Sequence, residues 1–407
     1  MDEKTLKILV INYEYPPIGG GGGVICRDVA EEMASMGHEV VVITTHYHRL
    51  KREETLNGVK IIRVPVLLRK DLDVATIISM LSYVPSAIKT GIQLLNRKRF
   101  DVVNTHFAIP SGPAGQYLAK RFNLPNVLSI HGGDIFDPSK SLSPHNTSGL
   151  KQIVKKMLLN ADRVVAQSSD TKRNALHYYD IRKEIDIIPL GIKPNRFALK
   201  ERKNLDLPED KVVFSTIGRL IKRKNLEELL EILSTIQSNF PFLMLIIGEG
   251  PEREHLQTKI RSLGLIEKVR LLGRVSEEEK FQYLNLSDAY LSTAMHEGFG
   301  IVFLEAMECG VPVICYDRGG QVDFLQNGKT GFLIQSGDKE AFASNLLRLL
   351  NNSQLREEMS RYNRDYISSF YISNIAKKYV SYFKGVLDGD RKQSDLSAFK
   401  AESTLIK

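Results

Sequence analysis

The chain reads as an α/β protein made of two doubly wound units, and three observations carry that reading. Its 407 residues exceed what one core of ordinary size encloses. Short runs rich in Val and Ile alternate with longer helical patterns. Near residue 210 the alternation starts afresh. Strands buried on both faces appear as unbroken apolar runs, and strand–helix–strand alternation with tight connections implies parallel sheets flanked by helices.

Residues 7–12 open the series with Ile8, Leu9, Val10 and Ile11 in succession. A glycine run follows, then a helix carrying Val29, Met33 and Met36 at helical spacing, stopped at Gly37. Further strands are expected at 39–44, 60–66, 101–104, 126–130, 163–166 and 185–188. The second series begins with a strand at 211–216 and a helix around 226–236, followed by strands at 242–247, 269–272, 289–291 and 311–315. The expected division is an N-terminal unit over 1–190, a proline-bearing charged hinge over 191–209 and a C-terminal unit over 210–365. A last helical pattern from about 362 supplies a helix over 366–387 that packs back on the first unit, and a polar, disordered tail covers 388–407.

Composition is globular, with 43% hydrophobic and 26% charged residues. The net charge of +8 admits a phosphorylated substrate, an anionic membrane or nucleic acid as partner, or simply a solvated basic surface. No aromatic–basic module accompanies it, so nucleic acid is not expected. Cys26, Cys309 and Cys315 lack metal-ligand spacing, which suits a reduced cytoplasmic protein with no metal site. The run from Met1 leads directly into a strand, so no secretory signal is expected. The stretch 74–95 is the most hydrophobic, but Pro85 and Lys89 interrupt it. It reads as a core or cleft helix, with an interfacial, membrane-touching helix as the alternative; Arg69, Lys70, Arg97, Lys98 and Arg99 flank it.

Open α/β sheets bind ligands outside the carboxyl ends of their strands, so chemistry belongs on the strand-to-helix loops. Gly19–Gly23 after the first strand can bring backbone N–H groups close to a phosphate or sugar. It is not a dinucleotide fingerprint: Val24, Ile25 and Cys26 fill the third-glycine positions, and Thr44-Thr45-His46 stands where an acid should end the second strand. Gly328-Lys329-Thr330 is not a P-loop, because Asp323 occupies the position of the first glycine. Asp71-Leu72-Asp73 has the form of a metal-binding D-x-D but, in a charged connection, reads as a solvated turn; Asp388-Gly389-Asp390 lies in the tail and carries less.

The second unit is more specific. Gly218-Arg219 follows its first strand and Lys224 comes at the start of a helix, a fork and a point charge suited to a diphosphate. Glu297 and Glu305 bracket Gly298-Phe299-Gly300 and the helix it opens. The first carboxylate can accept hydrogen bonds from sugar hydroxyls, the second can chelate ribose hydroxyls, and the N–H groups of 298–300 can meet phosphate oxygens. A purely structural alternative is that both acids stabilise the helix dipole.

From residue 5 to 387 the chain resembles the retaining glycosyltransferases of family 4. The motifs are Tyr15-Pro16-Pro17 with the glycine run, Gly37-His38-Glu39-Val40, Gly218-Arg219 with Lys224, Gly248-Glu249-Gly250-Pro251, the Glu297–Glu305 segment and Gly310-Val311-Pro312-Val313. The resemblance implies the GT-B architecture, two Rossmann-like domains facing across a cleft, the first binding acceptor and the second a nucleotide sugar. Arg219 and Lys224 would hold the donor diphosphate, Glu297 the donor sugar and Glu305 the ribose. Gly21 and Gly22 would lie near the transferring centre, and Arg274 and Val275 at the nucleotide base. His131, in Ser129-Ile130-His131-Gly132-Gly133-Asp134, would sit near the anomeric carbon and the sugar's C6 hydroxyl; its bland alternative is a core histidine. Asp323 departs from the glutamate usual after Gly-Gly-x-x, which should shift only a contact behind the donor.

The expected reaction moves a hexose or N-acetylhexosamine from a UDP or GDP sugar to an acceptor hydroxyl. It proceeds by front-face displacement with no protein nucleophile, no cofactor and no metal, and hinge closure excludes water. The acceptor is open, possibilities being lipid-linked, phosphorylated or small and cytosolic compounds, with 104–110 and 134–146 expected to shape its side. The rivals are a nucleotide-sugar 2-epimerase, a glycogen-synthase-like enzyme and a nonenzymatic nucleotide-sugar-binding subunit.

Overall fold

Burial on both faces makes the apolar runs into the central strands of two sheets. The computed structural model describes residues 5–72, 75–138, 143–236 and 241–389. Asp73, Val74, Asp390 with the tail beyond it, and the centre of the 134–146 loop lie outside the described residues. The chain divides into one unit of Met1–Gly191 with Ile372–Lys407 and a second of Ile192–Tyr371.

In the first unit the order is β1 (Lys7–Ile11), α1 (Gly21–Ser35), β2 (Glu39–Thr45), β3 (Glu53–Leu56), β4 (Val59–Val64), α2 (Ile77–Leu95), β5 (Val102–His106), α3 (Gly112–Phe122), β6 (Asn126–Ile130), α4 (Ser148–Asn160), β7 (Arg163–Ala166), α5 (Ser169–Tyr179) and β8 (Asp186–Ile187). Its eight strands are arranged β3-β4-β2-β1-β5-β6-β7-β8. Leu9 of β1 registers with Val41 on one side and Val103 on the other, in parallel. Only β3 runs antiparallel, paired with β4 at the sheet edge. Its sequence, Glu-Glu-Thr-Leu, is polar and mostly exposed, so no apolar run announces it.

The second unit contains β9 (Val212–Ile217), α6 (Leu226–Ile236), β10 (Phe242–Ile247), α7 (Arg253–Ser262), β11 (Val269–Gly273), α8 (Glu277–Asn285), β12 (Ala289–Ser292), α9 (Ile301–Glu308), β13 (Val313–Tyr316), β14 (Gly331–Ile334), α10 (Lys339–Leu350) and α11 (Ser353–Tyr366). The strands lie in the order β11-β10-β9-β12-β13-β14, all parallel. β14 was not anticipated, since Gly331–Ile334 is four residues long and follows a turn.

Two boundaries differ from expectation. Of the residues 191–209 read as a hinge, those from Ile192 on are tied into the second unit: the Asn195 N–H donates to Glu308 Oε1 (2.8 Å), the Lys200 N–H to Gln282 Oε1 (3.0 Å), and Arg202 pairs with Asp288 (2.9 Å). Proline and charge mark a surface strap there as readily as a linker. The last helical pattern is interrupted: a 3₁₀ turn at Ile367–Phe370 follows α11, and α12 (Ile372–Leu387) belongs to the first unit, packed on α1. Its buried stripe, Ile372, Ile375, Ala376, Tyr379, Val380 and Phe383, has helical period.

The hydrophobic stretch expected from Val74 forms α2, capped by Thr76, whose side chain accepts from the Ser79 N–H. One stripe, Ser79, Tyr83, Ala87, Gly91 and Leu95, is buried, and Pro85 is exposed. Among the described residues no helix is long and apolar enough to cross a membrane.

Candidate active site

In the second sheet β10 and β11 lie to one side of β9, and β13 and β14 to the other side of β12. The strand order therefore reverses between β9 and β12, where a crevice opens outside the carboxyl ends. Both expected donor segments start there. β9 runs into Gly218, which adopts φ +155° with its α-carbon against Lys224; a Cβ at Gly218 would lie 2.9 Å from Lys224 Cε. A 3₁₀ turn at Lys222–Lys224 follows, ended by Asn225 in the left-handed region (φ 50°). The Asn225 carbonyl accepts from Thr293 Oγ1 (2.8 Å), and the Arg223 carbonyl accepts from the Met295 N–H (2.9 Å). The turn is thus sewn to the segment leading out of β12.

That stitching gathers cations around Glu297. Lys224 Nζ donates to Glu297 Oε1, and Arg223 Nη1 lies 3.3 Å from Oε2 while also donating to the His296 carbonyl. Burial pushes the Glu297 carboxyl up, but Lys224 and then Arg223 outweigh it and hold the group below its usual range. The backbone of Glu297 is held as well, its carbonyl accepting from the Gly320 N–H (2.8 Å). Gly320 opens the 3₁₀ turn ending at Asp323, so the residue that departs from the family pattern sits in the turn bracing Glu297. Arg219 is exposed and has no ion pair among the described residues.

Gly298, Phe299 and Gly300 connect to α9, with Gly300 as its cap and Phe299 buried against Phe324. Glu305, inside α9, meets Lys280 of α8 at 2.7 Å. Its Oε1 is used; its Oε2 is buried without a partner. Burial raises the Glu305 carboxyl above its usual range, with Lys280 only partly offsetting it. Arg274 and Val275 follow β11 and lead through Ser276, the cap of α8, toward Lys280. Neither Arg223 nor Lys280 was singled out in the sequence. In Lys222-Arg223-Lys224 nothing distinguishes which side chain turns inward, and Lys280 ends an ordinary acidic helical turn.

In the first unit the order reverses between β1 and β5. Gly21, Gly22 and Gly23 prove to be the first turn of α1 rather than loop; N–H groups of a first turn need no helical partner. Gly21 has open space beside it. A Cβ on Gly22 would lie 2.4 Å from Phe107 Cζ, so only glycine admits that ring. Phe107, at φ 70°, follows β5 and lies 4.5 Å from the His131 ring. His131 follows β6, where Asp134 clamps the loop: Oδ1 accepts from the His131 N–H (2.9 Å) and Oδ2 from the Ala108 N–H (2.6 Å). His131 Nε2 lies 2.9 Å from His106 Nδ1, and His106 Nε2 lies 2.8 Å from Asn104 Oδ1. Burial pulls His131 down to about 4 and His106 well below the ordinary value, so both rings are neutral at pH 7.

The fold places these sheets in a known class. Sucrose-phosphate synthase of Thermosynechococcus elongatus superposes with a TM-score of 0.82 at 21% identity, covering 95% of this chain and 100% of that one. Anabaena HepE, solved in complex with UDP-glucose, gives 0.74 at 18% identity over 93% and 100% of the two chains. Both matches define a GT-B fold. Residues 19–196 match the family described as Glycosyltransferase Family 4, and residues 198–366 match Glycosyl transferases group 1. The chain belongs to this family of glycosyltransferases and is a transferase enzyme. The N-acetyl-alpha-D-glucosaminyl L-malate synthase of Bacillus anthracis is 26% identical over 93% of this chain and 97% of its own length.

Proposed function

We propose that the enzyme moves a hexose or N-acetylhexosamine from a UDP sugar to an acceptor hydroxyl, with retention of configuration and without a divalent metal. The observation that carries this reading is the pair of cations, Arg223 and Lys224, around Glu297 at the β9–β12 reversal, with exposed Arg219 on the same β9 loop. A departing nucleoside diphosphate needs positive charge fixed before the bond breaks, and preorganised cations supply it without reorganisation. They stand where a metal would otherwise act, which is why none is required. UDP is preferred over GDP because a structural neighbour is recorded with UDP-glucose.

Both oxygens of Glu297 face cations, which lowers its nucleophilicity and suits it to holding hydroxyls. Retention then follows from front-face displacement, the departing phosphate oxygen taking the acceptor proton. Glu305 Oε2, buried and without a partner, is an acceptor for ribose hydroxyls. In the first unit, His131 and the first turn of α1 bind sugar hydroxyls. The acceptor is lipid-linked in this reading. Leu67, Leu68, Ile77, Ile78 and Leu81 form an exposed apolar ledge at the start of α2, beside exposed Lys70.

A thermal-shift panel of UDP, GDP and ADP with their common sugars tests the donor assignment. A shift selective for UDP ligands that weakens in Glu305→Ala supports it, since a ligand at a hundredfold excess over its dissociation constant adds about 2.7 kcal/mol. Absence of any shift, or an unchanged shift in the variant, overturns it.

A further inference from the structure

A single backbone carbonyl sets the polarity of a hydrogen-bond chain that ends at His131. Asn104 Nδ2 lies 3.1 Å from the Val127 carbonyl oxygen and 3.1 Å from Ser129 Oγ. A carbonyl oxygen only accepts, so Nδ2 must face it and the Asn104 amide has one orientation. Its Oδ1 therefore faces His106 Nε2 at 2.8 Å and can only accept, which puts the proton of His106 on Nε2. A neutral His106 then has a bare Nδ1. That nitrogen lies 2.9 Å from His131 Nε2, so His131 must donate through Nε2–H. The remaining nitrogen, His131 Nδ1, is buried with no partner at hydrogen-bond distance; the Gln167 side chain, whose Nε2 donates to the His131 carbonyl (3.0 Å), also bears on the ring.

We propose that Asn104 and His106 are positioning residues that lock His131 into the Nε2–H tautomer, making its Nδ1 an obligate hydrogen-bond acceptor for a ligand hydroxyl or N–H. This deepens the reading given under Proposed function, since the ligand is then a sugar hydroxyl rather than a phosphate or carboxylate oxygen. An acceptor group offered to Nδ1 would set lone pair against lone pair in a buried place, where an unmade hydrogen bond is costly. Reversing the tautomer would leave His106 Nε2 bare and require the Asn104 amide to turn, setting its Oδ1 against the Val127 carbonyl, acceptor against acceptor. The rigidity comes from placement: Asn104 and His106 both sit on β5, and Val127 and Ser129 are on β6, its parallel neighbour. Burial keeps both rings neutral, so protonation does not scramble the relay at pH 7.

The test is nitrogen NMR of the full chain with labelled histidine at pH 7, without ligand, with resonances assigned through His131→Gln and His106→Gln. The expected spectrum has bare Nδ1 and protonated Nε2 on both rings. In Asn104→Leu the His131 resonances should report a mixture of tautomers, while in Asn104→Asp the buried carboxylate should draw a second proton onto His106, leaving His131 to accept through Nε2 with its proton on Nδ1. Sugar transfer should fall by roughly tenfold in kcat/KM in Asn104→Leu, the scale of one hydrogen bond, and should not recover in Asn104→Asp. Protonated Nδ1 on His131, or a doubly protonated ring, in the wild-type protein overturns the relay whatever the activity. An intact Nε2–H pattern in a chain that transfers no sugar leaves the relay standing and overturns the functional reading instead.

Discussion

Lys280 and Glu305 form an ion pair of 2.7 Å in which each side chain is 12% exposed, leaving Glu305 Oε2 buried as the oxygen of that carboxylate without a partner. The pair joins α8 to α9, so the acid expected to hold ribose owes its orientation to a lysine on the preceding helix. Lys280→Met should lower stability by about 3 kcal/mol, the cost of a buried charge left without its partner. The double variant Lys280→Met/Glu305→Leu should regain most of that stability without regaining UDP binding. Urea denaturation with a parallel nucleotide titration reads both, and a Lys280→Met protein as stable as wild type would contradict the account.

Lys224→Ala should slow turnover by two to three decades, about 3–4 kcal/mol of lost charge stabilisation. Arg223→Ala should also lower kcat, because Arg223 shares Glu297 with Lys224. Release of UDP at saturating donor measures each. The proposed absence of a metal is checked in the same assay, where full activity in excess chelator is the expected result.

Stability should depend on His131 between pH 6.5 and 4. Its folded value is about 4 against an ordinary 6.5, so on acidification the unfolded chain takes up the proton first and stability falls through that window. The loss for this group amounts to about 3 kcal/mol by pH 4. His106, shifted in the same direction, adds to it, whereas Glu305, shifted upward, binds its proton earlier in the folded chain and works the other way. The clean measurement is therefore the difference between wild type and His131→Gln in denaturant midpoints across that range. A flat difference would contradict the burial of the ring.

Two neighbouring glycines should respond oppositely to alanine. At Gly22 the new methyl would meet the Phe107 ring, 2.4 Å from Cζ, and displace it at a cost of about 1–3 kcal/mol. At Gly21 nothing lies within 4 Å, and alanine should stabilise the first turn of α1 by roughly 0.5–1 kcal/mol. Thermal denaturation of both variants decides it.

The apolar ledge should bind anionic vesicles. Leu68 and Leu81 are 65% and 68% exposed, and Leu68→Asp/Leu81→Asp should abolish flotation with phosphatidylglycerol liposomes while leaving UDP binding intact. Charge reversal at Lys98 is a poorer probe, because Lys98 pairs with Glu39. Flotation equal to wild type in the leucine variant would remove the membrane from the reading.

The sequence by itself determined the two α/β series and the strand-to-helix loops in which glycine and charge gather. Unbroken runs such as Phe242–Ile247 have no stable place except a strand covered on both faces. Gly218, Lys224, Glu297 and Glu305 were legible because glycine and charge are conspicuous where an apolar strand ends. Tertiary structure alone decided how those charges are spent. That Glu297 is shared by Lys224 and Arg223, that Glu305 leans on Lys280, and that Asn104 reaches His131 through His106 depend on distances between elements remote in the chain. It also decided the strand order, and with it the two places where that order reverses. Local periodicity states that a strand exists and which face is apolar, but its neighbours are chosen by packing of the whole sheet.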